Sequence, residues 1–411
     1  MIESQKVSDI RSNSLMLSLM CNIYKQENYI PENRPKIYKK CADMLFRAWD
    51  RSRGINPDVT IQDTKMESLI SYLANWIYTS ESLKDGVREE ELIKKATEYL
   101  HRSTFEDVDE AKKVSIDFIK FSKGRAWILS AVGSTKDHEL YKFTHWTFLE
   151  YFTAEWLCRI YEETNDLTNY LIPRIKKREW DVVAQLALQM RGEFSENALE
   201  KIFNKILKVA QESTDVERLN LLSFAARSLA FMNPDPNTVK AITKDCFEFS
   251  LILGKQGLTK EAEAPYRLIL DLQLSVKENR NKVAEALKNL ILDYTKTKKD
   301  DEAVLAAEIL FIIKDNLLNE KSEEKEKRYW SEEFSDTLKE CYQHNKFIFE
   351  ENIHLCIQSY EVLFKKDIEI ILKLHGLEGL FSDYSFLMCP VLYLTGVGES
   401  LFNAHFEPLP I

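Results

Sequence analysis

Apolar residues recur every three or four positions along most of the chain, which is the spacing of one helix face. The first such pattern, NSLMLSLMCNIYKQE at 13–27, predicts a buried helix. The second begins at Asn33, a favourable N-cap with Pro35 in the first turn, and ends at Gly54 in the manner of a C-cap. Three further helical patterns lie at about 62–79, 88–101 and 107–122.

The periodicity changes after these helices. RAWILSAVG at 125–133 and ELYKFT at 139–144 predict two short strands, and the polar stretch STKDH between them is typical of a turn. A long amphipathic helix, TFLEYFTAEWLCRIYEE, follows the second strand. Three helices, a hairpin and a final helix together indicate a winged-helix-like unit.

Beyond residue 165 the pattern is helical, and residues 237–316 suggest an internal repeat. The stretches Gly257–Ala262 and Lys298–Ala303 stand 41 residues apart. In each, a small alanine lies five residues after a turn position and starts an apolar helix. This is similar to the helix pairs of tetratricopeptide or HEAT repeats, which stack into a curved array with a concave binding face.

These patterns predict a mostly α fold. It consists of a helical subdomain, a winged-helix-like unit with one small β-hairpin, and a helical-repeat-like array. The predicted boundaries place the subdomain at 1–55, the winged-helix-like domain at 56–164, the helical sensor region at 165–380 and a C-terminal cap or tail at 381–411.

Composition supports long helices and narrows the function. The chain has 11 Gly and 10 Pro among 411 residues, about half the average usage, which favours long helices with short connections. Its formal net charge of −10 disfavours general nucleic-acid binding, because that requires a basic surface. No apolar signal region or membrane-length apolar stretch occurs, and none of the seven cysteines forms a C-x-x-C pair. We therefore expect a soluble cytoplasmic protein with reduced thiols and no membrane contact.

Few patterns in the sequence indicate a catalytic, phosphate-binding or metal-binding site. No G-x-x-x-x-G-K-[ST] loop, H-E-x-x-H helix or G-x-S-x-G turn occurs. C-x-x-H at 341–344 and H-x-C at 354–356 do not have the spacing of a zinc site, so no metal site is predicted. The acidic run at 89–91 begins a helix, where carboxylates are favoured by the helix dipole. We predict no catalytic residue and no cofactor for the isolated chain.

Two segments resemble the bacterial NACHT branch of the STAND NTPases. SNSLMLSLMCNIYKQENYIPENRPKIYKKCADMLFRAWDRSRG at 12–54 looks like the helical subdomain that follows the nucleotide-binding fold in that family. The segment at 124–157 contains F-x-H-x-x-F-x-E-Y-F and looks like the end of the family's winged-helix domain. The order and spacing of the two segments also agree, and the resemblance covers roughly the first 160 residues.

The resemblance gives His145 a role. In the family, the signature histidine touches the phosphates of bound ADP and holds the resting state closed, and His145 occupies the matching position. Imidazole beside a diphosphate can donate a charge-assisted hydrogen bond. The alternative reading of the residues is a histidine that only caps local backbone. Three positions, Ser14, Ala131 and Trp146, depart from the family, where Pro, an acidic residue and Arg are usual.

The family arrangement places the P-loop and the Mg²⁺-binding acidic strand before residue 1. The resemblance therefore implies the C-terminal part of a NACHT-type signalling NTPase that lacks its own ATP-hydrolysing core and is not an enzyme alone. ATP and ADP are implied only for an intact family member. The expected role is sensing and autoinhibition in antiphage defence. The expected partners are the missing NTPase domain or an intact paralogue, and a phage-derived trigger is a further candidate.

Two other functions compete with this one. The helical-repeat pattern also suits a stand-alone protein-interaction scaffold. A winged-helix-like unit also suits a DNA-binding regulator, but the candidate recognition helix is apolar and acidic, with Arg159 as its only cation.

The absence of the NTPase core that the resemblance implies leads to two structural expectations. The helix at 13–27 should expose Leu15, Leu17, Leu19 or Met20 on a face that meets the missing domain. In addition, His145 should begin its helix close to the surface formed by residues 10–54. The side chains expected in the core behind it are Phe148, Leu149, Phe152 and Trp156.

Overall fold

The computed structural model describes residues 14–31, 33–44, 63–83, 85–124, 128–134, 139–256, 264–297, 301–315, 329–330 and 333–344. The chain divides into two compact units, Met1–Glu212 and Ser213–Ile411, which we call unit 1 and unit 2. The described residues are mostly helical, with a small three-stranded antiparallel sheet, which confirms the predicted fold class. The predicted boundaries at 55, 164 and 380 stay predictions.

Unit 1 contains nine described helices, a short 3-10 turn and the three strands. The helices are α1 (Ser14–Glu27), α2 (Arg34–Asp43), α3 (Asp63–Thr79), α4 (Glu89–Ser103), α5 (Val108–Gly124), α6 (Trp146–Ile160), α7 (Thr164–Lys176), α8 (Asp181–Phe194) and α9 (Ala198–Gln211). The strands are β1 (Val87–Arg88), β2 (Leu129–Ser134) and β3 (Glu139–Phe143), and the 3-10 turn is Glu81–Leu83.

The strands pair in the order β1-β3-β2, and both pairings are antiparallel. The predicted hairpin is confirmed: Leu129 lies opposite Phe143, and Ala131 lies opposite Tyr141. A register shift between Ala131 and Gly133 gives the hairpin a bulge, which increases the local twist. Trp127, which belongs to the strand predicted at 125–133, lies outside the described residues.

Helix α6 forms the centre of unit 1 and packs mainly against α3 and α8. Phe148, Leu149 and Phe152 are buried, as their spacing predicts. Trp156 was also expected in the core but is only half-buried. Its indole makes T-shaped contacts with the rings of Tyr72 and Tyr99 at centroid distances of 5.3 and 5.8 Å, so it packs at the edge of the core.

The first helix only partly fulfils the expectation of an outward apolar face. Of the four residues named as candidates for this face, Leu19 and Met20 are buried. They share one side of α1 with the buried Met16 and Ile23, and α1 packs against α2. Leu17 does lie outward, with 37% of its surface exposed, and Leu15 lies outside the described side chains. Exposed Tyr24 lies seven residues further along the same helix.

Unit 2 is described as a set of helices only. They are α10 (Asp215–Ser228), α11 (Pro236–Lys255), α12 (Ala264–Gln273), α13 (Lys277–Thr297), α14 (Asp301–Asp315) and α15 (Ser335–His344). Among all the described helices, none combines the length and apolar character that crossing a membrane requires. The predicted tail at 381–411 lies outside the described residues.

The helices of unit 2 pack in a recurring pattern. Residues that meet between neighbouring helices lie a similar number of positions apart in the sequence. Helix α11 packs on α13, and α13 packs on α15. The ion pairs Lys240–Glu285 and Lys288–Glu333 both join residues 45 positions apart. This recurrence is the lateral contact pattern of helical repeats. Ala303 is buried at the start of α14, as the repeat pattern predicts, and Gly257–Ala262 lies outside the described residues.

Candidate functional site

His145 lies at the junction between the sheet and α6. The backbone N–H of the preceding Thr144 donates to the carbonyl of Ile128, the residue directly before β2, at 2.7 Å. His145 has extended backbone angles and is the N-cap residue of α6. Its carbonyl accepts hydrogen bonds from the N–H groups of Phe148 at 3.1 Å and Leu149 at 3.4 Å. The sheet and the first turn of the helix therefore fix its backbone from both sides.

The imidazole of His145 does not cap the helix that follows it. As the N-cap residue, it makes no side-chain hydrogen bond to the first-turn N–H groups. The alternative in which His145 only caps local backbone stays a prediction, as does the phosphate contact. The side chain is half-buried, and burial lowers its pKa from the usual value of 6.5. The imidazole is therefore mostly neutral at pH 7.

Helix α2 lies directly beside the start of α6. Tyr38 of α2 is almost fully buried, and its ring meets Phe148 edge-on at 6.3 Å. The same ring stacks on Tyr151 at 5.6 Å. These contacts begin three residues after His145, so a side chain from the range 10–54 reaches the first turn of the helix. The role of His145 itself stays a prediction.

A polar network holds α6 against α3. The hydroxyl of Ser71 donates to a carboxylate oxygen of Glu155 at 2.8 Å, and the Arg159 guanidinium pairs with the other oxygen at 2.7 Å. The same guanidinium lies 3.7 Å from Glu67 and donates to the hydroxyl of Ser68 at 3.1 Å. These groups form hydrogen bonds and ion pairs with one another across two helices. We therefore assign the network a structural role, which is to position α6 against α3.

On another side of α6, aromatic rings form a row that the sequence analysis did not predict. The ring of Tyr78, near the end of α3, lies 5.7 Å from the indole of Trp146 and 5.0 Å from that of Trp180. Trp180 then meets Tyr170 at 6.1 Å, and Tyr170 meets Tyr161 at 4.9 Å. Four different helices and their caps supply these rings, so only the tertiary fold brings them together.

Carboxylates flank one end of this row. Trp146 donates its indole N–H to Glu150 at 3.1 Å, one helical turn further along α6. Asp181 is the first residue of α8, directly after Trp180. Burial raises the pKa of Tyr78 well above its usual range, and the nearby carboxylates of Glu150 and Asp181 raise it further. This end of the row is therefore both aromatic and acidic.

The Cys and His residues near the end of the chain do not form a cluster where the structure describes them. Cys341 is buried and accepts a hydrogen bond from the hydroxyl of Thr295 at 3.4 Å, whereas His344 is exposed at the end of α15. His354 and Cys356 lie outside the described residues. Within the part of the chain that is described, no group of three or more His, Cys, Asp or Glu side chains could hold a metal ion.

No protein-family model, curated protein or solved structure matches this chain.

We expect the titration of His145 to reveal its partly buried position. Its pKa should lie below 6.5, because burial disfavours the charged imidazolium. The unfolded chain then binds the proton more tightly than the folded chain. The folded state keeps its full stability above pH 6.5 and loses some of it as the pH falls through 6.5 towards the lower folded-state pKa.

The imidazole Cε1–H signal, followed by NMR over pH 5–8, measures this pKa. The signal is assigned by its loss in His145→Gln, a variant whose stability should also depend less on pH in this range. A pKa of His145 at or above the usual histidine value of 6.5 would contradict the expected burial effect.

Proposed function

We propose that this chain is the regulatory and sensor part of a NACHT-type signalling NTPase. In this proposal, His145 contacts the phosphates of ADP that is held by the NTPase fold of the same assembly. The observation that carries the proposal is the contact between α2 and the first turn of α6. These two helices belong to the two separate segments that resemble the family, and their contact begins three residues after His145.

The chemistry of the junction supports a phosphate contact. The first turn of α6 leaves backbone N–H groups without helical acceptors, and such helix starts favour anions. A neutral imidazole with a lowered pKa would gain a proton when a diphosphate approaches, because the negative charge favours the imidazolium. The protonated ring would then donate a charge-assisted hydrogen bond to a phosphate oxygen. In this proposal, His145 is protonated when nucleotide is bound and neutral when it is not.

The proposal assigns the remaining tasks to other parts of the assembly. The sequence contains no G-x-x-x-x-G-K-[ST] loop, so the NTPase fold would hold the nucleotide and Mg²⁺. The outward side of α1, which carries Leu17 and Tyr24, is the side we assign to contact with that fold. The helices of unit 2 would serve as the sensor. The role in antiphage defence, and with it a phage-derived trigger, comes from the family resemblance.

One observation favours a second candidate function, a stand-alone scaffold for protein interactions. Unit 2 repeats its lateral contacts at separations of 44 to 47 residues, as the ion pairs Lys240–Glu285, Lys255–Glu302 and Lys296–Glu340 illustrate. Stacked helical repeats present extended binding surfaces without any need for a nucleotide. In the scaffold function, His145 has no ligand, and its replacement should change no interaction of the protein.

We expect the purified chain to hydrolyse no ATP above the background rate. The reason is that a lone histidine at a helix start supplies neither the phosphate cradle nor the Mg²⁺ ligands that phosphoryl transfer requires. Release of inorganic phosphate from ATP and Mg²⁺ measures this, with His145→Ala and His101→Ala as paired variants. All three proteins should give the same background rate. Turnover that is lost only in His145→Ala would overturn the assignment of a regulatory role.

A further inference from the structure

One surface of unit 1 combines exposed aromatic rings with negative charge. We define the acid–aromatic patch as Tyr78, Trp146, Glu150, Trp180 and Asp181. Trp146 is 54% exposed, an unusual position for an indole, and the other four side chains are partly exposed. Three helices build the patch. Tyr78 lies near the end of α3, Trp146 and Glu150 lie in the first five residues of α6, and Trp180 is the N-cap residue of α8, which begins at Asp181.

The packing of the patch keeps its rings in defined positions. The Trp146 indole is held by its hydrogen bond to Glu150 at 3.1 Å and by the Tyr78 ring at 5.7 Å. Trp180 meets the same Tyr78 ring edge-on at 5.0 Å. Rings that are already ordered lose little conformational entropy when a ligand binds to them.

Within the protein, Arg174 already makes a cation–π contact with rings of this row. Its guanidinium lies 3.8 Å from the centre of the Tyr170 ring and 4.6 Å from that of Trp180. Arg174 thus lies against two rings of the same aromatic row, at the end away from Trp146. Trp is the most favourable ring for a cation, and Arg is the most frequent cation in such contacts.

The negative charge near Trp146 indicates which kind of ligand this end of the aromatic row would bind. The carboxylates of Glu150 and Asp181 lie close enough to the Tyr78 hydroxyl to raise its pKa. Together with the negative faces of the rings, they favour a cation and repel phosphates and carboxylates. An indole that is 54% exposed is also within reach of a long, flexible side chain from another molecule.

We propose that the acid–aromatic patch binds a basic side chain, arginine or lysine, from an exposed segment of a protein partner. The cation lies over the exposed indole face of Trp146, and Glu150 supplies the opposing charge. This interaction does not require a nucleotide, so it is independent of the proposed role of His145.

The test is an NMR titration of the purified chain with the peptide acetyl-Gly-Arg-Gly-Arg-Gly-amide. The indole N–H signal of Trp146 is assigned by its loss in Trp146→Phe. We expect this signal to shift saturably with the arginine peptide. A peptide with citrulline in place of arginine, which keeps the shape and loses the charge, should cause no saturable shift. Raising the NaCl concentration should weaken the binding, because salt screens exposed charges.

The matched variants are Glu150→Gln and Glu196→Gln. The first keeps a side-chain oxygen that can accept from the Trp146 indole and removes only the charge. It should raise the dissociation constant about three- to tenfold, as expected for loss of about 1 kcal/mol of electrostatic attraction. Glu196 is exposed between α8 and α9, and its replacement should leave the constant unchanged. Equal shifts with the citrulline peptide, equal constants for both variants, or no saturable shift would overturn the proposal.

Discussion

Replacing Phe152 by alanine should lower the free energy of unfolding of unit 1 by about 3–5 kcal/mol, the usual cost of removing a buried phenyl ring. Phe152 is 1% exposed in the middle of α6. Its ring meets Tyr151 at 5.2 Å, Phe148 at 6.1 Å and Phe143 at 6.4 Å. These neighbours come from α6 and β3, so the cavity would lie where the helix and the sheet meet behind His145.

Urea unfolding followed by tryptophan fluorescence measures this loss. Of the seven tryptophans only Trp330 follows residue 212, so the signal reports mainly on unit 1. Phe194→Ala is the matched control, because Phe194 is 81% exposed at the end of α8 in the same unit. It should change the stability by less than about 0.5 kcal/mol. Similar losses in both variants would mean that α6 does not form the core described above.

Replacing Gly86 by alanine should cost unit 1 about 2–4 kcal/mol. Gly86 precedes β1 and has a φ of +130°, which L-residues with a side chain rarely adopt. A Cβ atom at this position would lie 2.9 Å from the Cβ of Leu140 on the neighbouring strand β3. Backbone strain and this clash add, because neither Cβ can rotate away from the other.

The control for this change is Gly133→Ala on β2. Gly133 does not have a positive φ, and a Cβ built there meets no atom within 4 Å. Its replacement should change the stability by less than about 1 kcal/mol. The same urea experiment separates the two variants. If Gly86→Ala is as stable as Gly133→Ala, then β1 does not approach β3 as closely as the structure indicates.

The elements around His145 could be predicted because each has a strong local pattern. The strand pair at 125–144 shows a change of period, and the helix after it carries aromatic residues at steps of four. Strand β1 could not be found in this way, since Val87 and Arg88 are too few to show a period. They form a strand only because β3 supplies hydrogen-bonding partners opposite them.

Which side of α1 is buried could not be read from its sequence. The stretch SLMLSLM contains apolar residues on several sides of the helix, so periodicity does not choose between them. Leu17, Leu19 and Met20 are all candidates for the outward face in the sequence, and the structure buries Leu19 and Met20 and leaves Leu17 and Tyr24 exposed. The choice depends on the position of α2 and neighbouring elements, which is tertiary information.

The candidate site was likewise predictable only in part. His145 could be singled out because it lies within a recognisable motif. The acid–aromatic patch could not, because its members Tyr78, Trp146 and Trp180 are spread over about 100 residues. No local pattern relates them, and they meet only because α3, α6 and α8 pack together. In the sequence, Trp146 is notable only because the family that this segment resembles usually has Arg at the matching position.

Sequencing the genomic DNA upstream of the Met1 codon tests the proposed origin of this chain most directly. The NACHT proposal predicts a G-x-x-x-x-G-K-[ST] coding sequence there, in frame or separated by a frameshift. An apolar strand ending in acidic residues should follow it before the segment at 12–54. Upstream DNA that encodes neither element in any reading frame would contradict the NACHT proposal and favour the stand-alone helical scaffold.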